Sequence, residues 1–395
     1  MKQNIYLDHA ATTKTSPEVL QAMLPYYNEQ YGNPSSIYTF ATNNLEAIAI
    51  AREQIATAIH CKPEEIFFTS GGTEADNWAL LGIALANSDK GKHIITTKIE
   101  HHAILNTCRF LEELGYEITY LDVDEYGVVK LTELKRAIRQ DTILISVMYA
   151  NNEIGTIQPI KEIGKIAKYH HILFHTDAVQ AFCQLPINVE ECHIDLLSMS
   201  GHKIYGPKGV GCLYIRSGVR IRSLLRGGAQ ERHRRAGTEN VPGIIGMGKA
   251  VAIAMTNLYE CQKRETKLRN YLINRILTEI PYARLNGHPT MRLANNVNVG
   301  FQFVDGESIL IMLDLKGICA SGGSACTSGS LDPSHVLLAI GLPDELARGS
   351  IRLTLGEETT KEDLDYTIGQ LKEIITKLRS MSPQYDDFDR QRTNE

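Results

Sequence analysis

Between Glu64 and Ile215 short apolar, β-branched runs recur, separated by stretches with apolar residues three and four apart. The runs fall at 66–69, 93–97, 118–123, 143–149, 172–176, 196–199 and 211–215. Strands apolar at every position need cover on both faces, so the alternation predicts an α/β layer with a largely parallel sheet. From 244 to 280 the pattern is helical, apolar over 250–255 and charged over 263–269, as in a helix crossing between domains. Beyond it, 295–301, 306–315 and 351–355 predict a smaller α+β unit. Thr359 and Glu362 have capping-box spacing ahead of a last helix striped by Leu364, Ile368, Leu371, Ile375 and Leu378. The polar tail from Ser382 is expected to fray.

With 395 residues the chain exceeds the usual single core, so two domains are expected. A net charge of −5 gives no nucleic-acid footprint, and no apolar run reaches the length of a membrane span. The N-terminus lacks a signal-peptide core, so a cytoplasmic enzyme is expected, with no membrane and no direct nucleic-acid partner. The eight cysteines are scattered without a C-x-x-C pair, and no Cys/His quartet has zinc spacing; reduced thiols and no metal are expected.

Several features follow predicted strands, where an open α/β sheet places function. Residues 200–211 read S-G-H-K-I-Y-G-P-K-G-V-G. Lys203 there follows a buried run, and a lysine so placed needs a partner or a reaction. A Schiff base with an aldehyde cofactor would supply one, with Ser200 and His202 donating to a phosphate; a Gly-rich turn with an exposed lysine is the alternative. Gly72 and Thr73, ahead of a helical pattern, suit a phosphate or an ordinary capped turn. Asp177 ends a buried run and suits a pyridinium nitrogen or a helix cap, with Gln180 close enough to add a hydrogen bond. His101 suits stacking on a cofactor ring or a satisfied core site. Asn152, of the Asn151-Asn152 pair, suits a ring oxygen or a turn. Each is weak alone; together they make a pyridoxal phosphate (PLP) site.

A second centre lies at Cys326, in a run from Ala320 to Gly329 with no large residue. The composition favours an exposed, reactive thiol over a packed one. Arg352, in an otherwise apolar run, suits a substrate carboxylate or an internal salt bridge.

Taken together, these motifs resemble the NifS/IscS-type cysteine desulfurases of the class V aminotransferases. The resemblance runs from Tyr6-Leu7-Asp8-His9-Ala10-Ala11-Thr12-Thr13 to the final helix. It is most specific at 200–211, at Asn151-Asn152-Glu153-Ile154-Gly155 and around Cys326. It implies PLP fold type I, aspartate-aminotransferase-like, with a mainly parallel seven-stranded sheet in a large domain and a smaller α+β domain. The expected boundaries are 15–258 for the PLP domain, and 1–14 with 259–395 for the small domain.

The resemblance also implies roles. Lys203 becomes the Schiff-base lysine, Asp177 the pyridinium partner and His101 the stacking histidine. Gly72, Thr73, Ser200, Gly201 and His202 surround the phosphate, and Thr238 reaches the phosphate of a neighbouring subunit, which implies a homodimer. Asn152 and Gln180 contact the ring, Asn152 also the substrate, and Arg352 binds the substrate carboxylate. L-cysteine would yield L-alanine and a persulfide on Cys326, passed to a sulfur-acceptor protein. That acceptor would be a tRNA-thiolation enzyme or an iron–sulfur scaffold.

Three departures stand out. Tyr38 replaces a family histidine, Gly322 stands where serine is frequent and should loosen the loop, and the acidic tail from Ser382 does not resemble a scaffold-docking tail. Delivery toward tRNA thiolation is therefore a serious expectation. Alternatives are a selenocysteine lyase or cysteine sulfinate desulfinase, and a sulfur-trafficking hub with low intrinsic activity. For the hub, the run Glu231 to Arg235 would serve a partner or RNA, against a solvated face or subunit contact.

Overall fold

The computed structural model describes residues 4–322 and 333–393. Its central sheet has seven strands in the spatial order Ile66–Thr69, Gly211–Ile215, Leu196–Ser200, Leu173–Asp177, Thr142–Ser146, His93–Thr97, Glu117–Leu121. Pairing is parallel throughout except at Gly211–Ile215, which runs antiparallel to both neighbours. The short return from Leu196–Ser200 leaves no room for a crossover, so only antiparallel pairing is open to it.

Side chains alternate across this sheet. Phe68 and Leu197 enter a core with Ile48, Ile55 and Met247, whereas Phe67 and Leu196 enter another with Trp78 and Ile104. Both faces are therefore covered, as the uniformly apolar strands require.

A second sheet has the order Ser321–Gly322, Ser350–Thr354, Asn296–Phe301, Ala283–Leu285, all antiparallel. Its core joins Leu7 with Leu272, Phe301, Leu353 and Leu371. Ile5–Tyr6 pairs in parallel with Ile318–Cys319, so the N-terminus belongs to this smaller unit. The helix Val241–Glu279 links the two cores. It is long and apolar enough for a membrane span, but half of its apolar window is buried, as in a core helix. It packs on Thr39–Ile59 so closely that a Cβ at Gly248 would lie 2.6 Å from the Ala51 Cβ.

Several local expectations shift. The run at 143–149 is a strand only over Thr142–Ser146. The last capping box is one residue later than the spacing suggested: Thr360 and Asp363 cap Lys361–Arg379 reciprocally, while the Thr359 hydroxyl accepts the Gly356 N–H at 3.0 Å. The tail does not simply fray. Pro383–Thr393 is helical, and Phe388 packs at ring-centroid distances of 5.3 Å from Tyr282 and 4.9 Å from Phe303. Two aromatics three apart, Tyr385 and Phe388, give an otherwise polar helix one apolar edge. Gly322 pairs with Ile351 at the end of a strand, and the loop it was expected to loosen, 323–332, lies outside the described residues. Tyr38 precedes helix Thr39–Ile59 with no side-chain cap bond.

Candidate active site

A cavity of about 1040 Å³ opens at the C-terminal ends of the parallel strands. Gly72, Thr73, His101, Asn152, Asp177, Gln180, Ser200, His202, Lys203 and Arg352 all line it. Gly201 is buried behind the wall, in the turn Gly201–Lys203. Thr238 is exposed and does not line this cavity. Cys326 lies outside the described residues.

Lys203 follows the strand Leu196–Ser200 directly, and its Nζ donates to the Ala10 and Ala11 carbonyls, both at 2.6 Å. Gln180 Nε2 donates to the same Ala10 carbonyl at 3.0 Å. His202 Nδ1 meets the Thr12 hydroxyl at 3.0 Å, and burial with nearby Lys203 and Lys208 lowers its pKa to about 4. The N-terminal segment is thus part of the wall. Its backbone carbonyls carry no side-chain signal, so residue-level reasoning did not assign them.

Asp177 ends Leu173–Asp177 with Oδ1 accepting the Val179 N–H at 2.9 Å; no helix begins there. Burial lifts its pKa to about 6, against the pull of Val179 N–H and Lys203. Behind it, His175 is fully buried between the Ser146 and Ser198 hydroxyls at 2.9 and 3.0 Å. Burial drops that imidazole to about 3, so it is neutral. Asp76, which also lines the cavity, is buried, and burial beside Asp177 raises its pKa. A carboxyl inside the apolar helix Gly72–Asn87 was the available signal for it.

His101 caps the helix His102–Glu113, with Nδ1 accepting the Ala103 N–H at 3.1 Å. That bond puts the ring proton on Nε2. Burial, then Lys203 and His102, lower its pKa to about 4, so it is a neutral ring at physiological pH. The Asn151-Asn152 pair divides its labour. Asn151 holds the turn, bonding Ile99 O, Glu153 N and Ile154 N, while Asn152 faces the cavity. Arg352 is 2% exposed and donates to the Asn152 carbonyl at 3.0 Å and to Asp8 at 2.9 Å.

The wall fits pyridoxal phosphate. Thr73 stands in the first turn of the helix Gly72–Asn87, capped by Gly71 and not by Thr73 itself. A Cβ at Gly72 would lie 2.6 Å from Val179 Cγ2, so only glycine keeps this corner open. A helix N-terminus and hydroxyls at one corner, a carboxyl at the floor and an amine at the wall match a phosphate, a ring nitrogen and an aldehyde.

The run Glu231 to Arg235 folds inward. Glu231 accepts a bidentate bond from Arg52 at 2.7 and 2.8 Å, Arg232 and Arg234 lie over the Phe67 ring, and Arg235 pairs with Glu74 at 2.8 Å. The run is thus tethered by Glu231, Arg234 and Arg235, while Arg232 and His233 stay exposed to solvent. Among the described residues no group of three or more His, Cys, Asp or Glu is arranged for a metal.

The aminotransferase class-V family profile matches residues 5–367. "Cysteine desulfurase IscS" of Methanosarcina thermophila is 60% identical over 379 residues, 96% of this chain and 94% of that protein. A solved "NIFS-LIKE PROTEIN" superposes with a TM-score of 0.89 at 39% identity, covering 95% of this chain and 100% of that one. A structure described as "SspA in complex with cysteine" gives 0.79 at 38% identity, over 89% and 98% of the two chains.

Proposed function

The chain belongs to the class-V aminotransferase family, and from that premise we propose that it is a PLP-dependent cysteine desulfurase. The observation that carries the proposal is the convergence of Lys203, Asp177, His101 and Arg352 on one cavity. When bound, PLP supplies an aldehyde that condenses with amines and a protonated ring that draws electrons from the substrate α-carbon.

The residues act around that group. The N–H groups of Gly72 and Thr73, with Thr73, Ser200 and His202, take the phosphate. Asp177 holds the ring nitrogen, neutral His101 covers the ring face, and Asn152 and Gln180 bond at its edge. Lys203 would hold the aldehyde, and its amine would move the substrate α-proton. Arg352 offers its fork to the substrate carboxylate.

Cys326 then takes the sulfur. The C–S bond breaks with its electrons left on carbon, which accepts a proton to give alanine. A new S–S bond forms, and the thiol becomes a persulfide. Support comes from the other cysteines: burial pushes the thiols of Cys61, Cys108, Cys183, Cys192, Cys212, Cys261 and Cys319 up, so none is poised as a thiolate.

We further infer a cytoplasmic homodimer that hands sulfur to an acceptor protein, for tRNA thiolation or iron–sulfur assembly. The exposed Tyr27, Tyr31, Ile37 and Tyr38 and the exposed Thr238 support the dimer. Two apolar cores about the large sheet and a separate one about the smaller sheet support a division into 15–258 and 1–14 with 259–395. The test is alanine release by the purified holoenzyme from L-cysteine, L-selenocysteine and L-cysteine sulfinate. Turnover highest on cysteine is expected; no alanine from cysteine overturns the proposal.

A further inference from the structure

Arg352 is held by a carboxylate before any substrate arrives. Its Nη2 donates to Asp8 at 2.9 Å and its Nη1 to the Asn152 carbonyl at 3.0 Å. A guanidinium has five N–H donors, so these two bonds leave donors on both Nη atoms for a second carboxylate. The Asp8 side chain is 20% exposed beside the 3% of Arg352; Arg352 lines the cavity and Asp8 stands behind it, reaching the cavity through the guanidinium.

The backbone at Asp8 is fixed. Asp8 makes a parallel bridge to Thr354, on the strand that carries Arg352. The Thr354 N–H donates to the Leu7 carbonyl at 2.7 Å, and the Ala10 N–H to the Thr354 hydroxyl at 2.9 Å. Immediately beyond, Ala10 and Ala11 hold the Lys203 amine. One short segment therefore braces both the cofactor lysine and the carboxylate-binding arginine.

The charge balance follows. Asp8 and Arg352 sum to zero, so one substrate carboxylate leaves this pair net negative, with Lys203 and Arg109 the other cations of the same cavity. A second anionic group on a small amino acid sits only a few bonds from the first, within the field of the Asp8 charge that partly neutralises Arg352. We propose that Asp8 is a positioning and specificity-determining residue: it aims the Arg352 fork and sets a fixed negative charge that favours amino acids with uncharged side chains over anionic ones such as cysteine sulfinate. This rests on the cysteine desulfurase reading for its natural substrate.

The test uses an isosteric pair that needs no turnover. L-asparagine and L-aspartate are titrated into the holoenzyme, with binding read from the absorbance of the bound cofactor. The wild type is expected to bind asparagine about tenfold or more tighter than aspartate. Asp8→Asn should shrink that ratio to about threefold or less by tightening aspartate, with cofactor occupancy retained, whereas Asp8→Glu should preserve it. Equal affinities in the wild type, which require no variant, overturn the proposal. So does an unchanged ratio in Asp8→Asn, or a lost ratio in Asp8→Glu. Failure of the desulfurase reading shows separately, as absence of alanine from cysteine.

Discussion

Replacing Arg52 with Met tests how the segment before Thr238 is held. Arg52 donates twice to Glu231 and once, at 2.6 Å, to the Ile66 carbonyl, with its guanidinium 4.6 Å from the Phe68 ring centroid. The paired side chains are 12% and 4% exposed. Glu231 also accepts the Phe68 N–H at 2.9 Å. The segment is strained: Glu231, Arg232 and His233 have φ of 47°, 57° and 62°, a left-handed run without glycine. At about 1 kcal/mol each, that is about 3 kcal/mol stored. Removing one partner of a buried pair costs about 3–5 kcal/mol, so the fork is of the size needed to hold the strain. In Arg52→Met the cheaper response is local release. Amides across 230–236 should then exchange hydrogen about a hundredfold faster. Arg235 also pairs with Glu74, which accepts the Ser70 N–H at 2.8 Å beside the phosphate corner, so cofactor affinity should fall about tenfold. Hydrogen exchange by mass spectrometry and cofactor dialysis measure both. Exchange within a factor of two of wild type, with unchanged affinity, would refute the reasoning.

Other substitutions probe the site from different sides. Asp177→Asn removes the charge opposite the ring nitrogen and should lower cysteine turnover at saturating PLP by about tenfold to a hundredfold. Glu100 is buried, accepts from Thr97 at 2.7 Å and Met148 N–H at 3.0 Å, and burial pushes its pKa to about 8 from 4.5. The folded state thus keeps a proton that the unfolded chain gives up, so stability falls as pH rises from 4.5 to about 8. Glu100→Gln should flatten that part of a melting-temperature profile. Phe388→Ala should free the last helix, raising proteolysis beyond Ser382 while cysteine turnover is unchanged.

The sequence carried the strands well because both faces are buried, and uniform β-branched runs have few other readings. It carried Lys203, Asp177 and His101 because each is a polar group where an apolar run stops. It missed what has no side-chain signature: the Ala10 and Ala11 carbonyls beneath Lys203, and the partition of Asn151 into the turn. Asp8 and Arg352 are 344 residues apart, and only the bridge to Thr354 brings them together. The tail helix was missed because two aromatics among many polar residues form an edge only when a surface such as Phe303 and Tyr282 receives them.

The most direct measurement is the mass of the holoenzyme after a brief exposure to L-cysteine without reductant, mapped by peptide. The account predicts one added sulfur, labile to reductant, on the peptide bearing Cys326, matched by alanine released and absent in Cys326→Ala. Alanine formed with no sulfur on that peptide, or sulfur carried on another cysteine, would contradict it.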